Sequence, residues 1–138
     1  MDFLQYYKGK KIVIPGGSGF VGSHIASILQ KISCEVFIPK TKDGVDFRKY
    51  EDCFSYLNDK MPQIVINCAA IQGGIAYHNG KQADLFMDNM LMGTFLMKAS
   101  QEVGVDKFVN VVAGCSYPGY LEIPEMNEED YWMGKLHD

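Results

Sequence analysis

The run Lys11-Ile12-Val13-Ile14-Pro15-Gly16-Gly17-Ser18-Gly19-Phe20-Val21-Gly22 constrains this chain more than any other. An apolar strand enters a turn whose glycines, Gly16, Gly19 and Gly22, are spaced three apart. The turn opens on a segment in which Val21, Ile25, Ile28, Leu29 and Ile32 recur at helical spacing, predicting a helix with one buried face. The first glycine permits the tight turn, a middle one lets backbone approach a pyrophosphate, and the last lets helix and strand pack closely. The helix start then offers free N–H groups and a positive dipole end to phosphate. A dinucleotide is therefore the expected ligand; a glycine-rich turn without a ligand is the competing reading. A P-loop is excluded, because no Lys follows Gly22.

The alternation continues down the chain. Strands are predicted over residues 11–15, 35–39, 63–68 and 107–113. Helices are predicted over 19–32, 48–59 and 82–103, the second with Phe54 and Leu57 facing inward and the last ending near Gly104. Residues 69–80 read as a loop, and the acidic stretch after Tyr117 shows no strong period. The short apolar run at 63–68 suits a parallel strand buried on both faces. This β-α-β-α-β-α-β order predicts an α/β fold, a Rossmann-type doubly wound parallel sheet with strand order 3-2-1-4. A complete domain of this type continues beside strand four, so residues 1–138 read as a truncated cofactor-binding portion. The helix over 82–103 is apolar on more than one side, through Leu85, Phe86, Met87, Met90, Met92, Phe95 and Met97. Two readings stay open for it: burial within its own subunit, or a face that pairs two copies as a homodimer.

Charge and cysteine content narrow the partners. Net charge is −4, which argues against nucleic acid or an anionic membrane surface. No apolar run reaches the roughly 20 residues of a membrane span, and residues 1–7 lack the features of a signal peptide. The four cysteines are far apart, with no metal-ligand spacing, and read as free thiols in a reducing cytoplasm without a metal site. Strand two ends Ile38-Pro39-Lys40-Thr41-Lys42, with no carboxylate at its tip to hold a ribose 2′-hydroxyl. Lysines there suit a 2′-phosphate, which favours NADP over NAD; a merely solvated lysine pair is the alternative.

Together these residues resemble the N-terminal part of the extended short-chain dehydrogenase/reductases, the NAD(P)-dependent epimerase/dehydratase family. Within it they resemble GDP-L-fucose synthases and related nucleotide-sugar epimerase/reductases. Gly16-Gly17-Ser18-Gly19-Phe20-Val21-Gly22 is similar to the family's glycine motif. Asp46-Phe47-Arg48 resembles its adenine-contacting Asp-Leu-Arg, and Asn67-Cys68-Ala69-Ala70 its Ala-Ala step along the cofactor. Gln72-Gly73-Gly74-Ile75, Asn89 with Gly93-Thr94, and Cys115-Ser116-Tyr117-Pro118 also find counterparts. The resemblance implies NADP bound through Gly16, Gly19, Phe20, Val21, Gly22, Lys40, Asp46, Phe47, Ala69, Ala70 and Asn89. It implies a GDP-sugar substrate that is epimerised and reduced at a 4-keto-6-deoxy sugar, with Cys115 as acid/base. A small buried residue at a strand end is the plain alternative for Cys115.

Two departures qualify this. The family's catalytic Ser or Thr, four residues before the Tyr of Tyr-Pro, is Ala113 here. Strand alternation would turn the nearby Ser116 away from the face shared by Ala113 and Cys115. Tyr131-Trp132-Met133-Gly134-Lys135 has the spacing of the family's catalytic Tyr-x-x-x-Lys, but in register it matches the preceding loop. The true pair is expected past Asp138, so the chain alone is expected to be inactive. A non-catalytic nucleotide-binding or interaction module of the same fold is the alternative.

Overall fold

The computed structural model describes residues 3–118 and 125–134. β1 (Lys11–Val13), β2 (Glu35–Phe37), β3 (Ile64–Asn67) and β4 (Lys107–Asn110) form one parallel sheet. The helices are α1 (Phe3–Tyr7), α2 (Phe20–Gln30), α3 (Tyr50–Lys60), α4 (Ile75–His78) and α5 (Gln82–Val103).

Side-chain alternation divides the core between the two faces of the sheet. Ile12, Ile14, Ile64 and Ile66 point to one face and pack with Ala26 and Leu29 of α2. Val13 and Val65 point to the other and pack with Cys53 and Leu57 of α3 and with Met92, Leu96 and Ala99 of α5. β3 is buried along its whole length, as its unbroken apolar run predicts.

This division explains a correction. The strands lie in the order β2-β1-β3-β4, not 3-2-1-4. Parallel crossovers are right-handed, so helices on opposite faces must carry the chain in opposite directions along the sheet. α2 takes it from β1 to β2; α3, on the other face, takes it back past β1 to β3. α5 shares the α3 face, and β4 continues outward. Among the described residues, no strand forms beyond β2. Residues 41–43 make a 3-10 turn that Gly44 closes at φ +87°.

Helix ends follow the sequence closely. Glu51 and Asp52 occupy the first turn of α3 and Lys60 its last, each matching the local dipole. α5 ends where Gly104 turns left-handed, φ +81°, and Val105 N–H returns to the Ser100 carbonyl at 2.9 Å. The inward face of α2 differs from the prediction. Gly22, Ala26 and Leu29 are buried, whereas Val21 and Ile28 are 46% and 53% exposed. The helix rolls so that its smallest residues meet the glycine turn. β4 stops at Asn110 rather than 113, and α4 interrupts the predicted loop over 69–80.

Candidate functional site

The chain reverses direction along the sheet at β1, and the crevice outside the strand ends at such a point is where open α/β sheets take ligands. A cleft of about 520 Å³ lies there, and three segments build its walls.

The glycine turn supplies the first. Gly16 adopts φ +74°, and a Cβ on it would fall 2.5 Å from the Cys68 carbonyl and 2.6 Å from the Ala69 nitrogen. Only glycine allows both the turn and this approach. A Cβ on Gly22 would strike the Gly16 carbonyl, so this third glycine lets α2 sit directly on the turn. Gly19 is the N-cap of α2, and no side chain caps the first turn. An uncapped helix start beside a glycine-rich turn is the kind of site that takes phosphate.

Residues 39–48 supply the second wall. Pro39, Lys40, Thr41, Asp46, Phe47 and Arg48 all line the cleft. The Asp46 carboxylate accepts from Arg48 three times, from the backbone N–H at 3.0 Å and from Nε and Nη2 at 2.9 Å each. Arg48 hydrogen bonds hold the Asp46 carboxyl below the usual carboxylate range. Nη1 of Arg48 reaches Asp88 of α5 at 3.4 Å, and Asp46 N–H donates to Asp52 of α3 at 2.9 Å. Arg48 is thus shared between two carboxylates. Among the described residues, Lys40 is the cleft-lining cation without an ion-pair partner. Lys42 sits in the 3-10 turn and lines none of this cleft.

Cys68, Ala69, Ala70 and Ile71 form the third wall, with Met92 of α5 behind them. A second cleft, of about 700 Å³, shares Cys68, Ala69 and Ala70 with the first and extends past Val21 and Asn89 to residues 110–113. Burial pushes the Cys68 thiol up, so it enters both clefts as a neutral group.

Most of the predicted residues converge. Gly16, Gly19, Lys40, Asp46, Phe47, Ala69 and Ala70 line the first cleft; Val21 and Asn89 line the second. Gly22 supports the turn from behind. Phe20 is 84% exposed, stacked edge-on with His24, and lines neither cleft. The Asn89 amide is engaged by the protein. Its Oδ1 accepts from Ile71 N–H at 2.8 Å, and its Nδ2 donates to the carbonyls of Ile71 and Leu85. Asn89 therefore acts on the cleft through the loop. Thr41, Arg48, Cys68 and Met92 were not named as site residues from sequence, although Arg48 stands in the Asp-Phe-Arg triplet, Cys68 in Asn67-Cys68-Ala69-Ala70 and Thr41 beside Lys40.

Ala113 lines the second cleft, and residues 114–116 form a 3-10 turn, so strand alternation does not govern Ser116. The Cys115 side chain and Lys135 lie outside what the structure describes. Tyr131 lies in a 3-10 turn, Glu128–Trp132, with its ring edge-on to Tyr117 at 5.3 Å, and does not start an α-helix.

A model of the NAD dependent epimerase/dehydratase family matches residues 12–136. The chain belongs to that family. Among its members, a GDP-L-fucose synthase from Sinorhizobium fredii is 32% identical over 128 residues, covering 93% of this chain and 40% of that protein. GDP-L-fucose synthase 1 from Arabidopsis thaliana is 32% identical over 117 residues, 85% of this chain and 36% of that one. A crystal structure of a GDP-L-fucose synthetase from Naegleria fowleri bound to NADP superposes with a TM-score of 0.78 at 25% identity, over 93% of this chain and 38% of that one. The chain spans about two fifths of the length of the curated relatives it matches. No helix among the described residues is long and apolar enough to cross a membrane.

Proposed function

We propose that residues 1–138 are the NADP-binding portion of a nucleotide-sugar epimerase/reductase of the GDP-L-fucose synthase type. The whole protein would epimerise and reduce a 4-keto-6-deoxy GDP-sugar in the cytoplasm. The observation that carries this is the convergence, in one cleft, of the glycine cradle, the uncapped start of α2, the unpaired Lys40 and the anchored Asp46.

Gly16, Gly19 and the first-turn N–H groups of α2, with Phe20 and Val21 at its start, take the pyrophosphate. Gly22 keeps that helix in place. Lys40 takes the 2′-phosphate, and Asp46 and Phe47 the adenine. Ala69 and Ala70 offer backbone along the ligand, with Asn89 holding their loop. When bound, NADPH supplies hydride. Cys115 is assigned proton transfer at the carbon beside the keto group, the step a tuned thiol can perform. Exposed Phe86, Met90 and Met97 on α5 offer a face for a second copy; a single-chain mass at every concentration in sedimentation equilibrium would remove that dimer.

Ala113 favours a second reading, a non-catalytic nucleotide-binding module, since no hydroxyl stands there to orient a carbonyl. Both readings require binding, and neither expects turnover by this chain alone. NADPH and NADH titrations, followed by nicotinamide fluorescence, test the cleft. Saturable binding that is tighter for NADPH supports it, and no binding of either overturns it. An assay of a longer product of the same gene with a GDP-4-keto-6-deoxy sugar separates enzyme from module.

A further inference from the structure

Asn67 ends β3 and is 4% exposed, one of two buried polar residues among those described. Its amide works in two directions. Nδ2 donates to Oδ1 of Asn110, its register partner on β4, at 2.8 Å. Oδ1 accepts from Ala69 N–H at 3.1 Å. That N–H belongs to the Cys68–Ala69 peptide, the unit against which Gly16 sits without room for a Cβ. The backbone ladder of β3 and β4 runs on past this point without the side chain, Val111 N–H reaching the Asn67 carbonyl at 3.0 Å. Two residues further on, Asn89 holds both backbone groups of Ile71. Ala70, between these two anchors, is exposed at the junction of the two clefts.

We propose that Asn67, locked by Asn110, is a positioning residue that fixes the Ala69–Ala70 backbone where the two clefts meet. A ligand spanning both clefts then depends on Asn67, whereas one confined to the Lys40 side does not. This rests on the NADP reading above.

The test is calorimetric titration of the 138-residue chain with NADPH and with adenosine 2′,5′-bisphosphate, which carries the 2′-phosphate end alone. Asn67→Leu should weaken NADPH on the order of tenfold, the effect of one misplaced hydrogen bond, and leave the bisphosphate unchanged. Asn67→Asp should restore NADPH binding, because its carboxylate still accepts Ala69 N–H and a turned Asn110 amide can donate to it. If Asn67→Leu does not fold, Asn110→Leu removes the lock from an exposed position and should give the same split with a smaller loss. Equal loss of both ligands, or no loss of NADPH, in folded variants overturns the inference alone. A wild-type chain that binds neither ligand overturns it together with the NADP reading.

Discussion

Lys40 and Arg48 bring the same charge to one cleft, but only Lys40 has it to spend. Arg48 is divided between Asp46 and Asp88, which is why the proposed function gives the 2′-phosphate to Lys40. Lys40→Ala should therefore weaken NADPH about tenfold or more, the scale of a lost charge-assisted contact, while NADH affinity stays as it was. Competition fluorimetry on the two nucleotides reads this directly. The Asp46 carboxyl titrates lower in the folded chain than in the unfolded one, where it stands near 3.9. Its contribution to stability is complete at neutral pH and lost as pH falls through the folded value. Asp46→Asn should melt a few degrees below wild type at pH 7, and the gap should narrow as pH falls below the ordinary carboxylate range. The place of Asp46 and Lys40 in the cleft wall was legible because each sits at a fixed offset from a strand or a motif. The neutralisation of Arg48 was not, since Asp88 lies on another helix. Nor was the engagement of Asn89, which depends on the path of the loop at 69–71.

Among elements, the two glycines embedded in helices have opposite meanings. A Cβ at Gly22 meets the Gly16 carbonyl, whereas one at Gly93, in α5, meets nothing within 4 Å. Gly22→Ala should cost about 1–3 kcal/mol as overpacking. Gly93→Ala should stabilise by about 0.5–1 kcal/mol through helix propensity. Urea denaturation of both variants measures the difference in sign. α5 was legible because its apolar residues recur as far as a glycine stop that is written locally. The inward face of α2 was misread because hydrophobicity favoured Val21 and Ile28, while close contact with the turn demanded small residues. α1 and α4 are too short to show a period.

For the whole molecule, the alternation of strands and helices foretold a parallel sheet with two covered faces but misplaced its strands. Strand order depends on which face each helix chooses, and that choice is made by long-range packing. β4 remains an edge strand, with Phe108 and Val109 half-buried and Val111 and Val112 beyond it exposed. Bound NADPH at a hundred times its Kd should stabilise the folded chain by about 2.7 kcal/mol, read as a raised Tm. The route to that state is set by the contact of Gly16 with Cys68 and Ala69. It joins positions roughly fifty residues apart, so the turn cannot close until β1 and β3 have found each other and the entropy of that loop has been lost. The prediction is that the cleft assembles only after the barrier to folding has been crossed. NADPH should slow unfolding in stopped-flow experiments and leave the refolding rate untouched: the chain learns its shape without its ligand, and the ligand decides only how long the shape is kept.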